Sequence, residues 1–248
     1  MSKFAGKKAV VSGGTHGMGR AVVKALLDGG AEVLLTGREG VNLEAARKEL
    51  GEKAHVVACD VSKLSDIRAL ADTVKQTFGE IDFVHVNAGY AKLYPAALVT
   101  EEMYDQTFDI NTKGAFFTAQ LLSPLVREGG GIVFTTSIAN TTGTPGMSVY
   151  SGAKAAVRSF VKVLAAELLP GGIRVNAVSP GFIDTPSMGV DASVEEREQF
   201  HKLGDELTPM KRHGTPEEVA AAVLFLGFDA TFTTGEELVV DGGLVVIG

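Results

Sequence analysis

Seven short runs dominated by valine, isoleucine and leucine recur along the chain, each separated from the next by a longer stretch of helical spacing. They are Lys8 to Ser12, Glu32 to Thr36, Ala54 to Cys59, Ile81 to Val86, Gly131 to Thr136, Ile173 to Val178 and Glu237 to Val240. Continuous apolar runs of this length are what strands covered on both faces require. Strands of that kind alternating with helices build a parallel sheet between two helical layers. The pattern therefore predicts an α/β fold, a doubly wound seven-stranded parallel sheet with helices on both faces, in one domain over residues 1–248. No Pro- or Ser-rich linker, internal repeat or low-complexity segment divides it.

One region breaks the rhythm. Between Gly181 and Gly214 the chain mixes charges with scattered Met, Phe and Leu. In open α/β sheets ligands bind outside the carboxyl ends of the strands, so an excursion there, at about residues 184–212, reads as a lid over a ligand. The alternative is a solvated helix pair with no ligand role.

Composition narrows the partners. With 45% hydrophobic and 21% charged residues the chain is that of an ordinary globular protein. A net charge of -7 without a Lys/Arg cluster argues against nucleic acid. No segment approaches the roughly 20 apolar residues of a membrane span, and the amino-terminal apolar run is too short for a signal-peptide core. Cys59 is the single cysteine, so an internal disulfide is impossible and the cytoplasm is the expected compartment.

The first strand runs into "SGGTHGMGRAVV", in which Gly13, Gly17 and Gly19 enclose Thr15, His16 and Met18. Between a buried strand and a helix, missing side chains let the backbone approach a pyrophosphate, where free N–H groups and the helix dipole favour an anion. A tight turn with no ligand is the plainer reading. About 20 residues on, where an acidic side chain would grip an NAD ribose, stand Gly37 and Arg38. Glycine leaves room for a 2'-phosphate and the guanidinium offers it a forked donor, so NADP(H) is expected, with NAD(H) possible. Glu39 would weaken this preference if it paired with Arg38, and Arg38 as a merely solvated residue is the bland alternative. Asp60 and Val61 after the third strand, and Asn87, Ala88 and Gly89 after the fourth, fall beside the glycine loop in this topology.

Tyr150 and Lys154 stand four apart on one face of a helical stretch, with Ser137 thirteen residues before the tyrosine at the end of the fifth strand. That combination arises by chance about 0.01 times in such a composition. A free phenol has a pKa near 10, and a neighbouring ammonium is expected to lower it so that the phenol can exchange a proton with an alcohol or ketone oxygen. Ser137 would hold the same oxygen. Asn111, polar within a helix-like stretch, reads equally as a packing amide or as a group that orders water or the lysine. The histidines His16, His55, His85, His201 and His213 are far apart in sequence and show no ligand spacing, so no metal is expected. No G-x-S-x-G elbow or G-K-[ST] phosphate loop is present.

With "SGGTHGMG", "CDV", "NAG", "IN", "TTS", "YSGAK", "RVNAVSPG" and "VDGG" in this order, the chain resembles the short-chain dehydrogenase/reductase family over its whole length. The resemblance implies a Rossmann-type fold and a catalytic tetrad of Asn111, Ser137, Tyr150 and Lys154. It further implies that Tyr150 and Lys154 also contact the cofactor, that Lys154 holds the nicotinamide ribose, and that Pro180, Gly181, Ile183 and Thr185 hold the nicotinamide. A homotetramer, or a homodimer, is implied as well. Departures are Ser12 for the usual Thr, Val86 where a second Asn is frequent, and His16 where many NADP-using members carry Lys or Arg.

The expected activity is the reversible, NADPH-preferring reduction of a small-molecule ketone to a secondary alcohol. One rival is a 3-oxoacyl carrier-protein reductase, for which Arg127 and Arg174 are the nearest docking cations. Another is a catalytically silent NADPH-binding or scaffold protein. Ile138, Asn140, Pro145, Met147, Phe182 and Met188 are candidates for the substrate pocket.

Overall fold

The structure is a computed structural model that describes residues 2–186 and 193–248. Seven parallel strands, β1 (Lys8–Val11), β2 (Glu32–Gly37), β3 (Ala54–Ala58), β4 (Ile81–Val86), β5 (Val126–Thr135), β6 (Arg174–Pro180) and β7 (Glu237–Val240), form one sheet in the order β3-β2-β1-β4-β5-β6-β7. The strand order reverses direction between β1 and β4, which opens a crevice at their carboxyl ends. All seven expected strands are present. β5 begins earlier than its apolar run because Ile81 pairs with Val126 before the register shifts to Phe83 opposite Gly131, leaving an irregular glycine-rich lead-in.

The period of two along each strand builds two cores. Val10, Leu34, Val84, Ile132, Phe134 and Val175 point to one face, against α3 (Leu64–Phe78), α5 (Ala115–Leu122) and α6 (Ser148–Leu168). Their neighbours Val11, Leu35, Phe83, Val133 and Val178 point to the other, against α1 (Gly17–Asp28) and α8 (Pro216–Leu224). Both sides of the central strands are therefore dry, which is why their sequences are continuously apolar, while the edge strands β3 and β7 are only half-buried. The helices supply matching stripes, Val22, Val23 and Leu26 on α1 and Ile67, Leu70, Val74 and Phe78 on α3. Each such fully buried side chain contributes about 1.5–3 kcal/mol.

Helix ends follow local chemistry. Thr215 and Glu218 form a reciprocal capping box with Pro216 in the first turn of α8. Gly79, at φ 71°, ends α3. The remaining helices are α2 (Val41–Glu49), α4 (Glu101–Phe108), α7 (Val194–Leu207) and the terminal turn α9 (Leu244–Ile247). Among the described residues no helix is long and apolar enough to cross a membrane. The expected lid lies partly on residues 187–192, outside the described residues, and its described part is α7 with the loop that follows.

Candidate active site

The glycine loop joins β1 to α1 under strict steric demand. A Cβ on Gly13, whose φ is +66°, would lie 2.9 Å from Ala88 Cα, and one on Gly19 would overlap the Gly13 carbonyl. The loop thus packs directly on the Asn87–Gly89 segment after β4. Asn87 locks the two together, its Nδ2 donating to the carbonyls of Ser12 (3.2 Å) and Gly13 (3.1 Å). The Ser12 hydroxyl accepts from the backbone N–H groups of Asn87 and Ala88. Ser12 therefore does the joining work within this loop, and Val86, buried in the sheet, takes no part in it. His16 caps α1 by position only, with no side-chain bond to the helix, which leaves the first-turn N–H groups available to an anion. Thr185 closes the other side, 3.4 Å from where a Cβ on Gly17 would stand. These features fit a dinucleotide pyrophosphate.

Arg38 is exposed just after β2 and makes no ion pair with Glu39 or another acid among the described residues. Its charge reaches both neighbours of the crevice. Burial and then Arg38 hold the His16 imidazole below its ordinary pKa, so His16 is neutral at physiological pH and adds no cation. The Asp60 carboxyl lies below its ordinary value because the Ser62 hydroxyl and N–H bonds, Lys63 and Arg38 together outweigh its own desolvation. A Cβ on Gly37 would overlap the Thr15 side chain, so the glycine makes room for Thr15.

Ser137, Tyr150 and Lys154 converge at the carboxyl end of β5. Ser137 begins the turn after the strand, and its hydroxyl accepts from Ala139 N (3.2 Å) and lies toward the Tyr150 phenol. Lys154, 4% exposed, donates from Nζ to the Thr135 carbonyl (2.9 Å) and lies 5.8 Å from the centre of the Tyr150 ring. Burial pushes the lysine down to about 8. The expected lowering of the tyrosine does not follow from this geometry. Burial raises the phenol above its ordinary value, and the Ser137 hydroxyl recovers only part of the shift. Tyr150 is therefore held as a neutral phenol near pH 7.

Asn111 lies in a π-helical turn, Asp109–Gly114, between α4 and α5. Such bulges displace backbone groups from the helical ladder and recur at functional sites. Its buried amide donates to the carbonyls of Tyr90 (2.7 Å) and Thr107 (3.0 Å) and accepts from Tyr90 N (3.1 Å), fixing the segment after Gly89. A Cβ on Gly89 would stand 3.1 Å from Asn111 Oδ1 and 3.6 Å from Lys154 Nζ, so all three meet. On the other side, a Cβ on Gly114 would lie 2.6 Å from the Val61 carbonyl, which seats the same turn against the end of β3.

A family model described as Enoyl-(Acyl carrier protein) reductase matches residues 13–245. The chain is 39% identical to Oxidoreductase asL5 of Sarocladium schorii, over 100% of this chain and 99% of that protein. It is 34% identical to L-fucose dehydrogenase of Bos taurus, over 98% and 90% respectively. A solved short-chain type dehydrogenase/reductase from Mycobacterium marinum superposes with a TM-score of 0.89 at 31% identity, covering 98% of this chain and 97% of that one. The chain belongs to the short-chain dehydrogenase/reductase family.

In this short-chain dehydrogenase/reductase the remaining expected cofactor residues lie at the same carboxyl edge of the sheet. Pro180 ends β6, Gly181 N donates to Val240 O (2.9 Å), and Ile183 bridges to Gly214, which carries Thr185 back toward the glycine loop. Met18 packs half-buried on the α1 side of the sheet. A cleft of about 770 Å³, lined in part by Ser148 and Ser151 on either side of Tyr150 in sequence, opens between the loops around Leu93, Pro95 and Ala96 and around Thr142, Thr144 and Pro145, and among the described residues its lining carries no charged side chain. Of the expected pocket residues only Pro145 lines it. Asn140 turns to Glu237 instead (2.6 Å), Phe182 packs on His213, and Met188 lies outside the described residues.

Sequence reading missed three supports. Thr135 donates to Asn87 Oδ1 (3.1 Å) and pairs with buried His85 Nε2 (2.9 Å), tying the Lys154 partner to the glycine loop. Burial holds His85 neutral, down to about 3. Glu237 on β7 accepts from Thr136 Oγ1 (2.5 Å) and Asn140 Nδ2 (2.6 Å) and pairs with Arg158 (3.0 Å), clamping the Ser137 turn to α6. The available signal was a polar residue inside an otherwise apolar strand, as in "FVHV" and "EELVV". A fourth departure concerns His201 and His213, which the fold brings into contact although the sequence keeps them apart.

Proposed function

We propose that the chain is an NADPH-preferring carbonyl reductase that converts a ketone to a secondary alcohol reversibly, with Asn111, Ser137, Tyr150 and Lys154 as its reacting group. The observation that carries this reading is the convergence of Ser137, Tyr150 and buried Lys154 at the carboxyl end of β5, with Lys154 Nζ 5.8 Å from the centre of the Tyr150 ring. A protonated phenol is the donor that a developing alkoxide needs, and the Ser137 hydroxyl orients the oxygen that receives the proton. A bound nicotinamide supplies the hydride. Gly13, Thr15, Gly17 and Gly19 would hold its pyrophosphate, Asp60, Val61, Asn87, Ala88 and Gly89 its adenosine side, and Pro180, Gly181, Ile183 and Thr185 with Lys154 its nicotinamide side. Arg38, exposed and unpaired with an acid, would select the 2'-phosphate.

The uncharged cleft supports a neutral substrate. Carrier-linked chemistry is the second reading, favoured by the description of the matching family model. Against it, Arg127 sits at the opposite, amino end of β5 near Asp82, and Arg174 is buried with its guanidinium on the Leu226, Gly227 and Ala230 carbonyls. Neither is placed to dock an acidic carrier at the cleft. We also propose assembly into a homotetramer, which the exposed Phe232, Val246 and Ile247 beside the β7 edge support.

The test is Tyr150→Phe. Turnover of a ketone panel should fall below detection while NADPH binding, read by fluorescence, stays within about twofold of wild type. Full activity in that variant would sink the mechanism. Equal catalytic efficiency with NADPH and NADH, unchanged by Arg38→Ala, would remove the phosphate role of Arg38.

A further inference from the structure

Helix α7 and the loop after it assemble a group of side chains that the reaction above does not use. His201 and Asp205 lie one turn apart on α7, and His213 follows where the chain returns beneath the helix. His213 Nδ1 stands 2.8 Å from Asp205 Oδ1, and His201 Nδ1 3.5 Å from Asp205 Oδ2. The two rings stack with centroids 4.1 Å apart and 17° between their planes, so both turn the Nδ1 edge toward one carboxylate. One ligand-capable atom from each residue lies within 4.8 Å of the other two, and among the described residues no other such group occurs. The His213 side chain is 3% exposed, and its Nε2 has no hydrogen-bond partner. His201 and Asp205 are 42% and 41% exposed, which leaves one side of the group open to water.

We propose that His201, Asp205 and His213 bind a single divalent transition cation of the zinc class. Two imidazoles and a carboxylate form a borderline ligand set that suits Zn²⁺, whereas Mg²⁺ and Ca²⁺ need shells of oxygen. Bonds of about 2.0–2.2 Å place the ligand atoms of a tetrahedral centre roughly 3.3 Å apart. The carboxylate reaches His213 Nδ1 at 2.8 Å through Oδ1 and His201 Nδ1 at 3.5 Å through Oδ2, and one ligand atom of each residue lies within 4.8 Å of the others, so a modest contraction brings three of them to that spacing. Binding requires the rings to tilt from their stack until the Nδ1 lone pairs converge. The exposed His201 is free to do so, while the buried His213 is fixed by Phe182, and solvent supplies the fourth ligand.

Such a cation would act on the lid. Gly214, next to His213, donates from N to Phe182 O (2.9 Å) and accepts at O from Asp184 N (2.8 Å). A cation joining α7 to His213 therefore ties the helix to the Phe182–Asp184 segment. It is a structural clip beside the active site, and its existence is independent of the reaction proposed above.

The experiment uses the full chain, with any purification tag removed and metals stripped by chelator and dialysis. Zn²⁺ and Mg²⁺ are then titrated in separate calorimetric runs, and bound metal is counted by elemental analysis after dialysis. One equivalent of Zn²⁺ per chain is expected, no heat from Mg²⁺, and a melting-temperature rise of roughly 5–10 °C at a hundredfold excess over Kd. His201→Ala, exposed and harmless to packing, should abolish the uptake, and Asp205→Asn should weaken it at least tenfold. If the wild type takes up no stoichiometric zinc, the group is a hydrogen-bonded clasp only and the proposal fails. Undiminished uptake by His201→Ala would place the metal elsewhere and overturn it equally.

Discussion

Glu237→Ala probes the clamp behind Ser137. The carboxylate, 8% exposed, accepts from Thr136 and Asn140 and pairs with Arg158 in the middle of α6. Removing it strands two donors. Thr136 can fall back on the Val178 carbonyl at 2.9 Å, so most of the cost falls on Asn140, and an unsatisfied buried donor costs about 1–3 kcal/mol. Arg158 is 40% exposed and can turn to water, so its share stays below about 1 kcal/mol. The sum is about 1–4 kcal/mol. Glu237→Gln keeps an oxygen for both donors and loses only the charge, at about 1 kcal/mol. Denaturant midpoints at fixed slope would measure both. At a temperature where both variants are folded, kcat should fall at least tenfold for Ala, whose Ser137 turn is loosened, and less than threefold for Gln. Equal destabilisation by Ala and Gln would mean that charge and not the hydrogen-bonded clamp matters, and a loss below about 1 kcal/mol for Ala would refute the reasoning altogether.

Three further outcomes follow from the same geometry. Because the phenol is raised, ketone reduction should be flat near neutral pH and decline in alkali while alcohol oxidation climbs, and a reduction rate that increases from pH 7 to 9 would contradict the assignment. Lys154, pushed down to about 8 from its ordinary value, binds fewer protons folded than unfolded between about 8 and 10.5, so its burial cost is full below that window and lifts across it. Lys154→Met should then stabilise the protein at pH 7 by at most about 3 kcal/mol while abolishing turnover, with the gain shrinking as pH rises, all measurable by denaturant unfolding at several pH values. Gly37→Ala should weaken cofactor binding by forcing Thr15 aside, and adding Thr15→Ala should restore much of it; no restoration in the double variant would show that the glycine serves something other than that contact.

What the sequence made legible is what depends on local period and on short-range spacing. Strands buried on both faces advertise themselves by unbroken apolar runs, and Tyr150 and Lys154 reveal a shared helix face because 3.6 residues make a turn. The illegible part is long-range. Gly37 reads as an absent acid until Thr15, 22 residues earlier, is seen to occupy its Cβ position. Glu237 reads as a charge near the chain end until β7 pairs with β6 and lays it against Thr136. The phenol acidity was misjudged for a related reason. Spacing shows that an ammonium is near, but which wins between attraction and desolvation depends on burial, and burial is a property of the closed sheet edge that no four-residue interval contains. The same edge explains why the correction strengthens the chemistry. A tyrosine already ionised at neutral pH would have no proton to give a ketone oxygen, whereas one held neutral by its surroundings keeps the proton that the proposed reduction requires.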